Sequence, residues 1–252
     1  AAHPDVRIIY VETPANPTLK ISDLKGLAER AHAVGARLVV DNTFATPVLQ
    51  QPIHFGADIV LHSTTKFMNG HGSGMGGALV TLDEELFHNR ITPVYRLYGG
   101  SGNAFDAWVV LNGLRTLPLR MERQSQHAHA VASWLSDHPK VERVNYPGLP
   151  DFPGYSDNQQ QMKSGGAMLS FELTGNAETA YRFMNSLIMI TLAPTLGDLD
   201  TIALHPATQS HRGLDPAVRI AQGIPDGLVR LSVGLESESD ILADLDQAIR
   251  LS

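Results

Sequence analysis

Three short apolar runs, each closed by polar residues and spaced by helix-compatible sequence, do most to limit how this chain can fold. They are Val6-Arg-Ile-Ile-Tyr-Val11, Arg37-Leu-Val-Val40 and Ile59-Val-Leu-His62. Runs bounded in this way read as strands, and the short β-branched run Ile59-Val60-Leu61 as one covered on both faces. Between the first two, Ser22 stands as an N-cap before a helix from Asp23 to Val34, with Leu24, Leu27, Ala28 and Ala31 at helical spacing. Gly35 is a natural stop for it. A short element from Val48 to His54 joins the second run to the third. This β-α-β-α-β order predicts parallel strands with right-handed crossovers, and Gly76 to Thr81 reads as a further strand.

The strand ends carry the chemistry. The second run closes on Asp41-Asn42-Thr43, and the third on Ser63-Thr64-Thr65-Lys66. In open α/β sheets, ligands bind at the carboxyl ends of the strands, so an acid and a lysine are delivered to one rim. Those residue types suit pyridoxal phosphate. A lysine amine forms a Schiff base with its aldehyde, an aspartate keeps its ring nitrogen protonated, and hydroxyls hydrogen-bond its phosphate. From spacing alone, a solvated loop lysine and a helix-capping aspartate are equally good readings.

From Asn103 to about His138 the pattern is helical, with an interruption expected near Leu117-Pro118, because proline removes a helical hydrogen bond. A domain boundary is placed there, dividing 1–117 from 118–252. Beyond it the order reads as strands at Val141–Asn145, Ala167–Leu173, Met189–Leu192 and Leu228–Val233, with helices at Ala177–Ser186 and from about Asp240 to Leu251. This predicts a small α+β unit with helices on one side of its sheet. The loop from Tyr146 to Gly166, rich in Pro, Gly and Gln, is expected to be exposed.

Composition narrows the class. In 252 residues, 43% are hydrophobic and 18% charged, which is ordinary for a folded globular protein. A net charge of −7 argues against general nucleic-acid binding, which needs a basic face. No apolar stretch approaches a membrane span and no signal peptide is visible, so a soluble, cytoplasmic protein is expected. Cysteine is absent, so there is no disulfide framework. His127 and His129 lie two apart on a predicted helix and point to different faces. With no trusted ligand spacing elsewhere, no metal site is expected.

Several ordered segments carry a resemblance. They are Glu12-Thr-Pro-Ala-Asn-Pro17, Val40-Asp-Asn-Thr-Phe-Ala-Thr-Pro47, Gly56 to Gly77, Leu114-Arg-Thr-Leu-Pro-Leu-Arg-Met121, Gly165-Gly-Ala-Met-Leu-Ser-Phe171 and Gly227-Leu-Val-Arg-Leu-Ser-Val-Gly234. Together they resemble the C-terminal part of the Cys/Met-metabolism (transsulfuration) pyridoxal-phosphate enzymes. That family includes cystathionine γ-synthase, cystathionine lyases, methionine γ-lyase and homoserine-ester sulfhydrylases. The resemblance implies an α/β fold of the aspartate aminotransferase type (fold type I). The chain would be the C-terminal part of the mostly parallel large domain plus a smaller α+β domain.

For the site, the resemblance implies that Lys66 forms the Schiff base with pyridoxal 5'-phosphate and Asp41 pairs with the ring nitrogen. Ser63 and Thr65 match the phosphate ligands, and Thr43 packs against the ring. Arg230 binds the substrate α-carboxylate, with Asn16 and Thr195 as weaker candidates for the same carboxylate and a cofactor oxygen. The family often has serine where Thr195 stands, and commonly tyrosine where Phe67 follows the lysine. His71 falls in the glycine-rich loop Gly70 to Gly77, shaping its backbone.

The implied reaction is elimination or replacement at the γ-carbon of sulfur amino acids or homoserine esters, on a small amino-acid substrate, in a homo-oligomer built as a dimer of dimers. The chain starts at Ala1 and enters a strand almost at once, whereas the family has a substantial portion before this point, with a phosphate loop and a ring-stacking aromatic. A fragment is therefore expected, one that needs a complementing N-terminal portion. The alternative is a non-catalytic piece, inactive without that portion. Apolar surface left bare predicts self-association.

Overall fold

The computed structural model describes residues 5–252, so Ala1 lies outside the described residues. Strands β1 (Ile8–Glu12), β2 (Arg37–Asp41), β3 (Ile59–Ser63) and β4 (Gly77–Val80) form one sheet in that order. The first three are parallel, as the βαβ order requires, and β4 turns back antiparallel on β3. Helix α1 (Leu24–His32) is capped by Asp23, not Ser22: the Asp23 carboxylate accepts the Gly26 N–H. Leu24, Ala28 and Ala31 of α1 pack with Leu38, Val40 and Val60 into one core, and Gly35 takes the left-handed conformation that ends the helix. A short helix α2 (Thr46–Leu49) and a 3₁₀ turn Pro52–Phe55 fill the expected element before β3. Helices α3 (Glu84–Leu86) and α4 (Thr92–Leu97) follow β4.

Helix α5 (Ala104–Ser136) runs unbroken through Pro118. The expected interruption is therefore absent. The reason is tertiary packing on both sides of the proline. Leu117 and Met121 are buried in a core with Phe67, Phe44 and Met168, while Ala128, Val131, Ala132 and Leu135 are buried in another against the second sheet. Burial of these faces holds the helix where propensity alone would break it.

The second sheet has the order β5-β6-β9-β8-β7. Its strands are β5 (Val141–Asn145), β6 (Met168–Leu173), β7 (Thr191–Leu192), β8 (Ile202–Leu204) and β9 (Leu228–Ser232). All pairings are antiparallel except β7 with β8. Helices α7 (Ala177–Ser186) and α9 (Glu238–Leu251) join the C-terminal part of α5 over Phe171, Val229 and Leu231. The segment 146–166 is not the exposed loop expected from its composition. It holds helix α6 (Tyr155–Gln161), and Tyr146, Phe152, Asn158, Gln161 and Met162 are buried. Gln161 explains part of this, since its amide donates to the Ser22 carbonyl and its oxygen accepts the Leu24 N–H at the start of α1. Strand β8 and helix α8 (Pro216–Ala221) had no expectation from sequence.

Candidate active site

Parallel register aligns the carboxyl ends of the first three strands. Glu12 lies opposite Asp41, and Asp41 opposite Leu61. Both oxygens of the Asp41 carboxylate are held. Oδ1 accepts the Thr43 N–H at 3.0 Å and the Thr43 hydroxyl at 2.6 Å, and Oδ2 accepts the Tyr10 phenol at 3.0 Å. The Thr43 hydroxyl in turn accepts the Ser63 N–H at 2.8 Å, which ties the end of β2 to the end of β3.

After β3 the chain enters a wide helical turn, Thr64–Met68, in which Lys66 itself leaves helical geometry. Arg120 anchors this turn from α5. The residue is 4% exposed, and its guanidinium donates to the carbonyls of Phe67 (2.8 Å), Met68 (3.4 Å) and Gly113 (2.8 Å) and to the Thr116 hydroxyl (3.0 Å). His71 adds a contact from its Nδ1 to the Asn69 carbonyl at 2.6 Å.

The Lys66 amine donates to the Thr195 hydroxyl at 3.0 Å. Burial, and secondarily the charge of Arg230, hold this amine below the ordinary lysine range. Gly197 explains how the turn carrying Thr195 comes so close. Its φ is +80°, and a Cβ there would stand 2.6 Å from the Phe67 nitrogen and 3.0 Å from the Lys66 carbonyl carbon.

Arg230, on β9, is 2% exposed. It donates to the Asn16 side-chain oxygen at 3.0 Å and to the Thr195 carbonyl at 2.7 Å, and its Nε has no partner. Burial lowers it to about 10, opposed by the nearby Glu12 carboxylate, so it stays charged at neutral pH. Glu12 is pushed up to about 7 by burial first and by Asp41 second.

Of the residues singled out in the sequence, the structure therefore joins Lys66, Thr195, Arg230 and Asn16 in one chain of hydrogen bonds, and Asp41, Thr43 and Ser63 in another. Thr65 stands apart. Its hydroxyl donates to the Gly76 carbonyl at 3.3 Å and accepts the Gly76 N–H at 3.0 Å. A cavity of about 660 Å³ opens beside Asp41 and Ser63, walled by Phe87, Ile91 and Tyr95, and another of about 450 Å³ lies between Thr65 and Thr195. Among the described residues no group of three His, Cys, Asp or Glu could hold a metal ion.

Three site residues went unassigned in the sequence: Tyr10, Glu12 and Arg120. An arginine embedded between Leu117 and Met121 on an apolar helix face was a usable signal, because a buried guanidinium requires several acceptors. Nothing in the sequence announces that Tyr10 reaches Asp41, 31 positions away.

Comparison with known proteins places the chain among relatives of known family. An L-methionine gamma-lyase of Fusobacterium nucleatum subsp. polymorphum is 46% identical over 246 residues, covering 97% of this chain and 62% of the relative. An O-succinylhomoserine sulfhydrylase of Pseudomonas aeruginosa is 42% identical, covering 99% of this chain and 61% of the relative. The solved structure of cystathionine gamma synthase from Xanthomonas oryzae pv. oryzae in complex with cystathionine superposes with a TM-score of 0.94 at 44% identity, covering 97% of this chain and 63% of that one. The chain thus spans somewhat under two thirds of the length of these relatives. The family model described as Cys/Met metabolism PLP-dependent enzyme matches residues 1–250, and the chain belongs to that family.

Proposed function

We propose that this chain supplies the lysine-bearing part of an enzyme that uses pyridoxal phosphate for elimination or replacement at the γ-carbon of sulfur amino acids or homoserine esters. One observation carries the reading: Thr195 links the Lys66 amine, through its hydroxyl, to the Arg230 guanidinium, through its carbonyl. A proton-moving amine and a carboxylate clamp are thereby held on one residue.

The residues fit the cofactor. Lys66 offers an amine whose charge is already disfavoured by burial, and the Asp41 carboxylate is oriented on the same rim. When bound, the cofactor supplies the electron sink that stabilises negative charge at the substrate Cα. The protein's part is to place groups and move protons. The Lys66 amine, once free, takes the Cα proton and then serves the neighbouring carbon, which γ-chemistry requires. Its depressed pKa raises the fraction of neutral amine near neutral pH, and Thr195 aims it. Arg230 has an unpartnered buried Nε–H, which costs roughly 1–3 kcal/mol and which a substrate carboxylate would satisfy. Asn16 braces the same guanidinium from the turn after β1.

The phosphate end is weaker. Of its two expected hydroxyl ligands, that of Thr65 is already engaged with Gly76. This favours the second reading, in which the chain is a non-catalytic piece, inactive without the further third of the polypeptide that its relatives possess. The remaining expectations travel with the first reading: a homotetramer, a cytoplasmic setting, and a division into 1–117 and 118–252. The chain, given pyridoxal phosphate, should be incubated with L-methionine, cystathionine or O-succinylhomoserine, and 2-oxo acid release measured. Release abolished by Lys66→Ala supports the full reading. Cofactor capture without release supports the second.

A further inference from the structure

The hydrogen bonds around Asp41 are asymmetric, and the asymmetry falls on the oxygen that would meet the cofactor. A carboxylate oxygen offers two lone-pair sites. Oδ1 has both filled, by the Thr43 N–H and the Thr43 hydroxyl. Oδ2 has one filled, by the Tyr10 phenol, and one left. A ring N–H approaching Asp41 can therefore be received only at Oδ2, the atom that Tyr10 already holds.

The strands explain how Tyr10 gets there. In the parallel register of β1 and β2, Tyr10 is opposite Val39 and Glu12 opposite Asp41. Residues two apart share a face, so Tyr10 lies on the face of Asp41, one step behind it, within reach of its carboxylate.

We infer that Tyr10 is a positioning residue for the cofactor's ring nitrogen, acting through Asp41 Oδ2. The inference rests on the reading above. Physically, donation from the phenol does two things. It stops the carboxylate from swinging about Cβ–Cγ, because each oxygen then has its own tether. It also leaves one lone pair of Oδ2 open, so a ring N–H is received at an atom whose place is fixed. Burial, and then the Asp41 charge, raise the phenol to about 12, so it remains a donor throughout the neutral range.

Two measurements test this. The first needs no cofactor: titration of the chain with ¹³Cζ-labelled tyrosine, followed by NMR. Tyr10 is expected to titrate above an ordinary phenol and to move down in Asp41→Asn. A Tyr10 titration that Asp41→Asn leaves unchanged overturns the pairing. The second uses ¹⁵N-labelled pyridoxal phosphate bound to the chain. Tyr10→Phe should weaken cofactor binding about tenfold, the scale of a hydrogen bond to a charged group. It should also shift the ring nitrogen toward the unprotonated value, with the thermal midpoint unchanged. Loss of binding with an unmoved nitrogen shift means that Tyr10 acts only on packing, and overturns the inference. A wild-type chain that forms no Schiff base refutes the parent reading, whereas the phenol titration judges the Tyr10–Asp41 pairing independently of it.

Discussion

Replacing Arg120 is the sharpest probe of how the lysine turn is held. The guanidinium makes three hydrogen bonds of 3.0 Å or less, two of them to the carbonyls of Phe67 and Gly113 and one to the Thr116 hydroxyl. Arg120→Met keeps an apolar stem of similar length and removes all of them. Each such bond involves a charged donor, worth about 1.5–3 kcal/mol singly, and the deserted carbonyls lose their partner in a buried setting. The bonds share one side chain, so their values do not add, and desolvation of the guanidinium offsets part of the gain. The expected net loss is about 2–4 kcal/mol of stability. Urea unfolding of the two proteins measures it. Hydrogen exchange localises it, because the Asn69 and Gly70 amides bond back to Thr64 and Lys66 within the turn and should exchange faster. Arg120→Lys should fall between, since one ammonium cannot span carbonyls on two elements. A loss below about 0.5 kcal/mol, the level of an ordinary surface change, would refute the claim that this guanidinium anchors the turn.

Other outcomes follow from the same geometry. Glu12 binds its proton more tightly folded than unfolded, so its contribution to stability is complete below about 4.5 and is lost as pH rises to about 7. Thermal midpoints across that window should decline in the wild type and flatten in Glu12→Gln; an equal decline in both would contradict this. Gly197→Ala puts a Cβ against the Phe67 nitrogen at a φ of +80°, and should cost about 1–3 kcal/mol and weaken cofactor capture. A neutral substitution would mean the turn approaches Lys66 less closely. Leu97, Tyr98, Phe105, Trp108 and Leu119 are all more than half exposed, along the part of the chain that spans α4 and α5. Sedimentation of the chain should show concentration-dependent association, reduced by Trp108→Ser, and a clean monomer at high concentration would count against it.

The parts of this molecule that were legible in sequence are those decided locally. The β-branched runs at β1, β2 and β3, the acid and lysine at their ends, and the stop at Gly35 are each set by a few adjacent residues. What sequence misjudged was decided by distant partners. Pro118 continues α5 because two cores grip the helix on either side of it. The polar segment 146–166 is folded inward because Gln161 caps the start of α1 and the Tyr146 hydroxyl donates to the carbonyls of Ser125 and Gly166. In the site, Lys66 and Asp41 announced themselves through their place at strand ends. Tyr10 did not, because its partner lies 31 positions away, and Arg120 showed only as an arginine on an apolar helix face, its acceptor Phe67 lying 53 positions away.

The central claim is that Lys66 is the residue that captures the cofactor. Borohydride reduction of the chain mixed with less than one equivalent of pyridoxal phosphate, followed by peptide mass mapping, tests it directly. One stable pyridoxyl adduct, on Lys66, is expected at substoichiometric cofactor. Labelling spread evenly over Lys20, Lys25, Lys140 and Lys163, with Lys66 no more reactive than these, would contradict it.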